Sequence, residues 1–257
     1  MPHLLRAAIV VVAMLVVLGF HRAEAQPAPP SLMTLSIIEV DPQLFTEFGV
    51  VQGEAAAAQK AGGQAWRETW QTAMFGNPFR VGVVTPVMDI AQFDGPTASI
   101  KGAGPAAATL INERARRMIT RQQIHLLQAR PDLGFGTRAP SGKLAVLATI
   151  SVAPGRIPDF ERVIKGEVVP ALKKAGVTYY GVARTIFGGD TNQFFTLLLF
   201  DNFADLGKGH PLERALGAEG MASLEQKLTG IATQVEREVI RLNDALSYGL
   251  ASPPPPK

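Results

Sequence analysis

The chain has 257 residues, of which 47% are apolar, so it can bury a substantial core and is not a disordered protein. Its net charge is only +3 and its basic residues do not cluster, which argues against a nucleic-acid partner. The absence of cysteine excludes a disulfide framework, a thiolate metal site and an iron–sulfur cluster. No histidine–carboxylate spacing resembles a metal site and no glycine-rich nucleotide loop is present, so we expect neither a metal nor a cofactor.

The N-terminus has the features of an export signal. Arg6 precedes an uncharged apolar run at residues 7–20, and an Ala-Glu-Ala cleavage motif follows at residues 23–25. This pattern predicts a signal peptide over residues 1–25, cut before Gln26. The alternative is an uncleaved membrane anchor, but the run is shorter than the roughly 20 residues that a spanning helix needs. We therefore expect a periplasmic or secreted protein with no stable membrane insertion after cleavage.

Proline-rich segments flank the predicted mature body. Residues 26–32 predict an extended lead-in, and residues 250–257 predict a disordered tail. Removing residues 1–25 leaves 23 basic and 21 acidic residues, a net charge of +2. Export without disulfides is typical of the bacterial periplasm, where burial rather than cross-linking stabilises a chain of this size.

Between these segments the sequence contains one pattern twice. Five apolar or proline positions recur with a shift of 112: Leu35, Ile38, Val40, Pro42 and Phe48 correspond to Leu147, Ile150, Val152, Pro154 and Phe160. Later matches, such as Gly53-Glu54 with Gly166-Glu167, keep their order while the shift drifts to 113 or 114. Ordered matches over this length predict a tandem duplication, with repeats at 33–136 and 144–249 and a linker at 137–143.

Each repeat predicts the order strand, helix, strand, strand, helix, strand. In the second repeat these elements fall at residues 144–152, 157–175, 177–187, 193–200, 211–228 and 232–242. Pro170 is expected to kink the first of these helices. The first repeat follows the same plan with a looser stretch at 95–104, and its residues 119–129 predict either a last strand or a continuation of the preceding helix.

The predicted fold class is α+β. Each ferredoxin-like βαββαβ repeat forms an antiparallel sheet with both helices on one face. The continuous apolar run at 194–200 indicates a strand buried on both sides, so the second face needs a cover. We expect the two sheets to pack face to face as a fused dimeric barrel.

The chain resembles the dimeric α/β-barrel superfamily in three features. They are the repeated order of elements, the Lys-Ala-Gly helix ends at 60–62 and 174–176, and the Leu-x-Phe/Tyr-Gly repeat ends at 133–136 and 246–249. That superfamily includes antibiotic-biosynthesis-monooxygenase-like and NIPSNAP-like proteins. The resemblance implies pockets between sheet and helices, and members that are cofactor-free oxygenases, haem-binding enzymes or proteins of no known activity. It supplies no shared catalytic residue to transfer.

Two histidines remain after signal removal. His125 lies in the predicted last strand of the first repeat and could act as a base or haem ligand, although a structural histidine is the simpler explanation. Its counterpart in the second repeat is Glu238. His210 precedes a helix, where a histidine can contact a ligand or simply be solvated.

Aromatic and arginine side chains supply the other candidates for ligand binding: Trp66, Arg67, Trp70, Tyr179, Tyr180 and Arg184. Trp66 and Trp70 are four residues apart in a predicted strand and so share one face. Inward-facing aromatic rings could hold a flat apolar ligand, but they could also be ordinary core. Arg67, Arg80 and Arg184 lie in predicted strands and could bind an acidic group, or pair with Glu39 or Glu68, if they point inward.

The sequence leaves two functions open. The first is a protein that binds a small apolar or aromatic ligand, or an accessory protein of that kind. The alternative is a cofactor-independent monooxygenase-like enzyme acting on a small aromatic compound. Either is expected as a monomeric pseudo-dimer or as a homo-oligomer.

Overall fold

Eight β-rich segments form the framework of the protein, for which a computed structural model describes residues 32–137 and 143–249. The predicted signal peptide, lead-in, tail and central linker positions 138–142 lie outside the described residues. The strands are β1 (Leu32–Val40), β2 (Glu68–Thr72), β3 (Arg80–Val87), β4 (Ile119–Ala129), β5 (Leu144–Val152), β6 (Tyr180–Phe187), β7 (Gln193–Phe200) and β8 (Ala232–Leu242). The segment at 119–129 is therefore a strand, not a continuation of the preceding helix.

The strands close into one antiparallel barrel in the order β1-β3-β2-β8-β5-β7-β6-β4. Strands β1 to β4 are contiguous in this order, and so are β5 to β8. The expected barrel is therefore present, and the two predicted sheets are joined edge to edge into one closed sheet. Within the first half, β2 and β4 are the outer strands, and they hydrogen bond to β8 and β6 of the second half. This pairing satisfies backbone groups that would have no partners at an open sheet edge.

Seven helices cover the outside of the described barrel. They are α1 (Phe45–Ala61), α2 (Ala98–Ala103), α3 (Pro105–Met118), α4 (Ile157–Val163), α5 (Val169–Lys174), α6 (Phe203–Leu206) and α7 (Pro211–Leu228). A single π-helical turn, Ile164–Val168, joins α4 to α5, in which Pro170 is the second residue. The helix irregularity thus lies where the missing proline N–H was expected to disturb the hydrogen-bond ladder.

The core is divided between the helix layer and the barrel interior. Phe48 and Phe160, each 1% exposed, anchor the two clusters between helices and barrel wall. Two further clusters, centred on Leu35 and on Trp70, lie inside the barrel. Within the described residues, no helix is both long enough and apolar enough to cross a membrane.

The segments that follow β4 and β8 lock the two halves together. Phe135 pairs with Tyr180 across one seam, and Tyr248 pairs with Arg67 across the other. Gly136 and Gly249 come next, with φ of 82° and 66°. A Cβ at these two glycines would lie 1.9 Å and 2.1 Å from the carbonyl oxygens of Thr178 and Ala65, so only glycine fits.

Candidate functional site

The barrel encloses a cavity of about 1190 Å³ that is lined by residues from all eight strands. Alternate residues point inward because side chains on a strand alternate between its faces. On β4 the lining residues are Arg121, Gln123, His125, Leu127 and Ala129. The candidate site is therefore the barrel lumen, whereas the resemblance implied pockets between sheet and helices.

The lumen is asymmetric in the placement of its large side chains. On one wall Trp70 of β2 lies opposite Gly82 of β3. On the other wall Ala183 of β6 lies opposite Phe195 of β7. Each cross-strand pair combines one large and one small residue, but the ring projects from a different strand in the two halves. The resulting cavity has no internal two-fold symmetry.

A partly buried ionic cluster lies in the lumen. Arg80 donates to Glu39 at 3.1 Å and also to Glu238, so a single guanidinium joins β1, β3 and β8. The three side chains are 21% to 31% exposed. Arg80 Nε and the nearby Thr72 Oγ1 are buried and have no protein partner. We call Glu39, Arg80 and Glu238 the ionic triad.

His125 faces the same lumen from β4 and is only 3% exposed. Its ring makes an edge contact with Phe195 at 5.5 Å between centroids, and its Nδ1 has no hydrogen-bond partner. Burial lowers the pKa of this imidazole below its ordinary value, which keeps the ring neutral. The backbone at Gly189 closes over it, since a Cβ there would lie 2.8 Å from both Cε1 and Nδ1.

Three aromatic side chains from opposite walls also line the cavity. They are Trp66 and Trp70 of the first half and Tyr179 of the second, and we call these three side chains the aromatic group. The Trp70 indole donates to Glu68 Oε2 at 3.1 Å, which fixes the ring. The Tyr179 hydroxyl lies over Gly181, where a Cβ would be 2.6 Å away. The absence of a side chain at Gly181 therefore gives the phenol its position.

Tyr180 contacts the cavity but belongs mainly to the helix-side core of the second half. Burial raises its pKa to about 12, although a hydrogen bond with Thr196 opposes the shift. It is therefore a structural phenol that stays protonated at all physiological pH values.

The remaining predicted ligand-binding residues lie outside the lumen. The Arg67 guanidinium is buried under α1, where Gln52, Gln59 and Thr69 accept its hydrogen bonds. Arg184 donates to the Thr191 carbonyl in the β6–β7 hairpin. His210 is the N-cap of α7, where its Nδ1 accepts from the Leu212 N–H at 3.2 Å. The structure does not bring these three residues together with the aromatic group.

The lumen does not fit a haem. Among the described residues, His125 is the only histidine that lines the lumen. Its side chain is only 3% exposed and Phe195 contacts the ring, so there is no room for a macrocycle coordinated to the imidazole. Across residues 32–137 and 143–249, no three histidine or carboxylate side chains are grouped as metal ligands.

Sequence reasoning singled out the aromatic group and His125 but missed the full ionic triad. It paired Arg80 with Glu39 as one option and gave Glu238 no role. The sequence did contain a pattern that indicates a role for Glu238. One face of β8 carries Glu236, Glu238 and Ile240, and two of these three residues are charged. Two carboxylates on the face of β8 that also carries Ile240 indicate a polar region in the cavity.

Comparisons with known proteins identify the fold. No family model matches the sequence, and no curated protein matches it either. Among solved structures, a proposed monooxygenase from Fusobacterium nucleatum aligns with a TM-score of 0.58 at 12% identity, over 84% of this chain and 94% of that one. An anthrone oxidase-like protein aligns with a TM-score of 0.56 at 8% identity, over 82% and 91%.

A mutant chlorite dismutase from Candidatus Nitrospira defluvii aligns with a TM-score of 0.52 at 7% identity, over 85% of this chain and 94% of that one. At these identities the likeness is evidence for the fold alone. These neighbours therefore share with this chain the fold of an α+β protein with a closed, eight-stranded antiparallel barrel.

Proposed function

We propose that the protein binds a small aromatic compound inside its barrel. The observation that carries this proposal is the lumen itself, a cavity of about 1190 Å³ lined by Trp66, Trp70 and Tyr179 together with a few polar groups. A mostly apolar concavity with convergent polar side chains is the usual form of a small-molecule site.

Tryptophan fluorescence tests the proposal because Trp66 and Trp70 are the only tryptophans in the chain. A panel of aromatic compounds should include members that change the emission saturably. Ala183→Leu, which adds volume to the lumen wall, should abolish the response, whereas Ala222→Leu on the exposed face of α7 should retain it. A panel that leaves the emission unchanged would contradict the proposal.

The second candidate is a cofactor-independent monooxygenase-like reaction in the same lumen. It is favoured by the fold neighbours, which are described as a proposed monooxygenase and as anthrone oxidase-like. A neutral His125 could take the proton of an aromatic hydroxyl, after which a ring carbon of the anion bonds to O2. Loss of the proton on that carbon and cleavage of the O–O bond would leave a quinone oxygen on the ring and release the other oxygen as water, so the substrate supplies all the electrons. Oxygen consumption with a bound compound decides between the candidates, and His125→Gln should stop turnover while preserving binding.

We infer that the two halves are copies of one ferredoxin-like βαββαβ unit. Support comes from contacts that recur with a shift of 113. Lys60 lies over the Tyr248 ring as Lys173 lies over Phe135. The Glu54–Arg114 ion pair corresponds in the same way to Glu167–Lys227. Solved structures of single-repeat homologues that lack these contacts would count against a duplication. Kinship with NIPSNAP-like proteins stays a prediction.

We also propose that the barrel works outside the cytoplasm after removal of residues 1–25. The proposal rests on the apolar run and cleavage motif in the sequence. N-terminal sequencing of protein from a fractionated host is the test. Mature protein in the periplasm or medium should begin at Gln26, and a mature pool that retains residues 1–25 would refute cleavage.

A further inference from the structure

The charged side chains that line the lumen are unequal in sign. Three are arginines: Arg80, Arg121 and Arg130. Five are carboxylates: Glu39, Glu68, Asp190, Glu236 and Glu238. One arginine is already neutralised elsewhere, since the Arg130 guanidinium forms ion pairs with Asp132 and Glu161. With Arg130 and the Trp70-bonded Glu68 left aside, four carboxylates and the two arginines Arg80 and Arg121, the latter opposite Glu39, remain in the lumen lining, a formal excess of negative charge.

The excess is present within the ionic triad, where two carboxylates share a single guanidinium. Arg80 contacts Oε1 of Glu39 and Oε1 of Glu238, so the triad has a net charge of −1. Its side chains are less than one third exposed, and charges in a partly desolvated site interact more strongly than they do in water. A positive group is the simplest complement.

The aromatic group supplies the second requirement. Trp66, Trp70 and Tyr179 present rings to the lumen, and indole is the ring that most strongly attracts a nearby cation. A ligand that combines a positive charge with an apolar ring would satisfy the rings and the carboxylates at once.

We propose that the lumen selects a protonated aromatic amine, with its ammonium group at the ionic triad and its ring against the aromatic group. This inference rests on the proposed binding function and specifies its ligand class. Ammonium N–H groups bond to the Glu39 and Glu238 carboxylates, and the ring is buried by Trp70 and the neighbouring apolar wall.

Three compounds with the same ring and different charge test the inference: 2-phenylethylamine, 2-phenylethanol and phenylacetate. At pH 7 they are respectively a cation, a neutral molecule and an anion. Calorimetric titration of the full-length mature protein should show the amine binding at least about tenfold more tightly than the alcohol, and the acid most weakly. Raising the salt concentration should reduce the advantage of the amine.

Matched variants locate the charge effect. Glu238→Gln preserves an acceptor for Arg80 but removes one negative charge, and should weaken amine binding about tenfold while leaving the alcohol nearly unchanged. Glu39→Gln provides a second variant if the first folds poorly. Glu219→Gln, on the exposed surface of α7, removes the same charge outside the lumen and should have no effect.

The outcomes separate this inference from the function on which it rests. Equal binding of amine and alcohol, or tightest binding of phenylacetate, overturns the selection of a cation and leaves lumen binding standing. Failure of all three compounds while another aromatic compound changes the tryptophan emission also overturns only the amine. Failure of these compounds and of the wider panel overturns both proposals.

Discussion

Arg67 shows how one polar residue in a core position fixes local structure. It is the largest of the nearly fully buried side chains, at 1% exposed, and its guanidinium is held by neutral oxygens of Gln52, Gln59 and Thr69. Burial lowers its pKa to about 10, with a small opposing effect from Tyr248, so it remains charged at neutral pH. The hydrogen bonds tie the beginning of β2 to α1.

Replacing Arg67 with alanine should therefore destabilise the fold by about 3 kcal/mol, because two buried glutamine oxygens lose their donor and a cavity opens. Urea unfolding followed by tryptophan emission measures the change. Arg116→Ala, on the exposed surface of α3, is the matched control and should change stability by less than about 0.5 kcal/mol. A similar loss in both variants would contradict this role for Arg67.

His125 predicts a pH dependence of stability. Its folded-state pKa lies below the ordinary value of 6.5, so the unfolded chain binds more protons once the pH falls below about that value. The stabilisation is complete above pH 6.5 and is lost as the pH falls towards the folded-state pKa. The urea midpoint should decrease between pH 7.5 and pH 5.5, and His125→Gln should flatten this decrease.

His210 acts in the same direction, because burial and Arg237 lower its pKa. The decrease that remains in His125→Gln should therefore disappear when His210→Gln is added. Unchanged pH dependence in the double variant would show that neither histidine controls it.

At the scale of elements, the two glycine-containing segments after β4 and β8 are the most constrained connections. Gly136→Ala should destabilise the protein by several kcal/mol, since it combines a left-handed backbone with a Cβ 1.9 Å from the Thr178 oxygen. Gly49→Ala in α1 is the control: no atom lies within 4 Å of the added Cβ, so it should stabilise by about 0.5–1 kcal/mol. Thermal unfolding of both variants distinguishes strain from a general intolerance of alanine.

Most elements were predictable from sequence because their signals are local. The apolar run of β7 predicted burial on both faces, and Phe194 and Phe195 are 0% and 6% exposed. The stretch at 95–104 was expected to be loose but contains α2. That helix packs so closely on α1 that a Cβ at Gly102 would lie 2.0 Å from the Ala58 oxygen. Periodicity over six residues is too short to reveal such a helix.

The candidate site was less predictable, because it depends on barrel closure. Trp66 and Trp70 were expected to share a face, and both line the lumen. Arg67 lies between them in sequence and faces the helices instead, as strand alternation requires. The triad joins Arg80 to Glu238 across the β2–β8 seam, and pairing between residues 158 positions apart leaves no local pattern in the sequence.

At the scale of the whole molecule, the two halves complete each other. β2 contacts β8 and β4 contacts β6, while ion pairs from Arg80 to Glu238 and from Arg130 to Glu161 cross between the halves. Separation would expose two strand edges on each half, and exposed edges promote association.

Fragments 26–137 and 143–257 should consequently self-associate or aggregate when each is produced alone. Produced together, they should form a one-to-one complex with the tryptophan emission of the intact chain. Light scattering after gel filtration measures the stoichiometry. A soluble, monomeric and cooperatively unfolding half would contradict the requirement for mutual closure.

The opposite placement of large and small residues in the Trp70–Gly82 and Ala183–Phe195 pairs has an evolutionary consequence. In a barrel made from two identical chains, every mutation in the lining appears twice, once on each wall. Here each wall position is encoded separately, so a single mutation can reshape one side of the lumen while the other side keeps its packing. Ligand preference can then change by one substitution at a time. No evolutionary intermediate needs the same substitution on both walls, which would overfill the lumen or leave it empty.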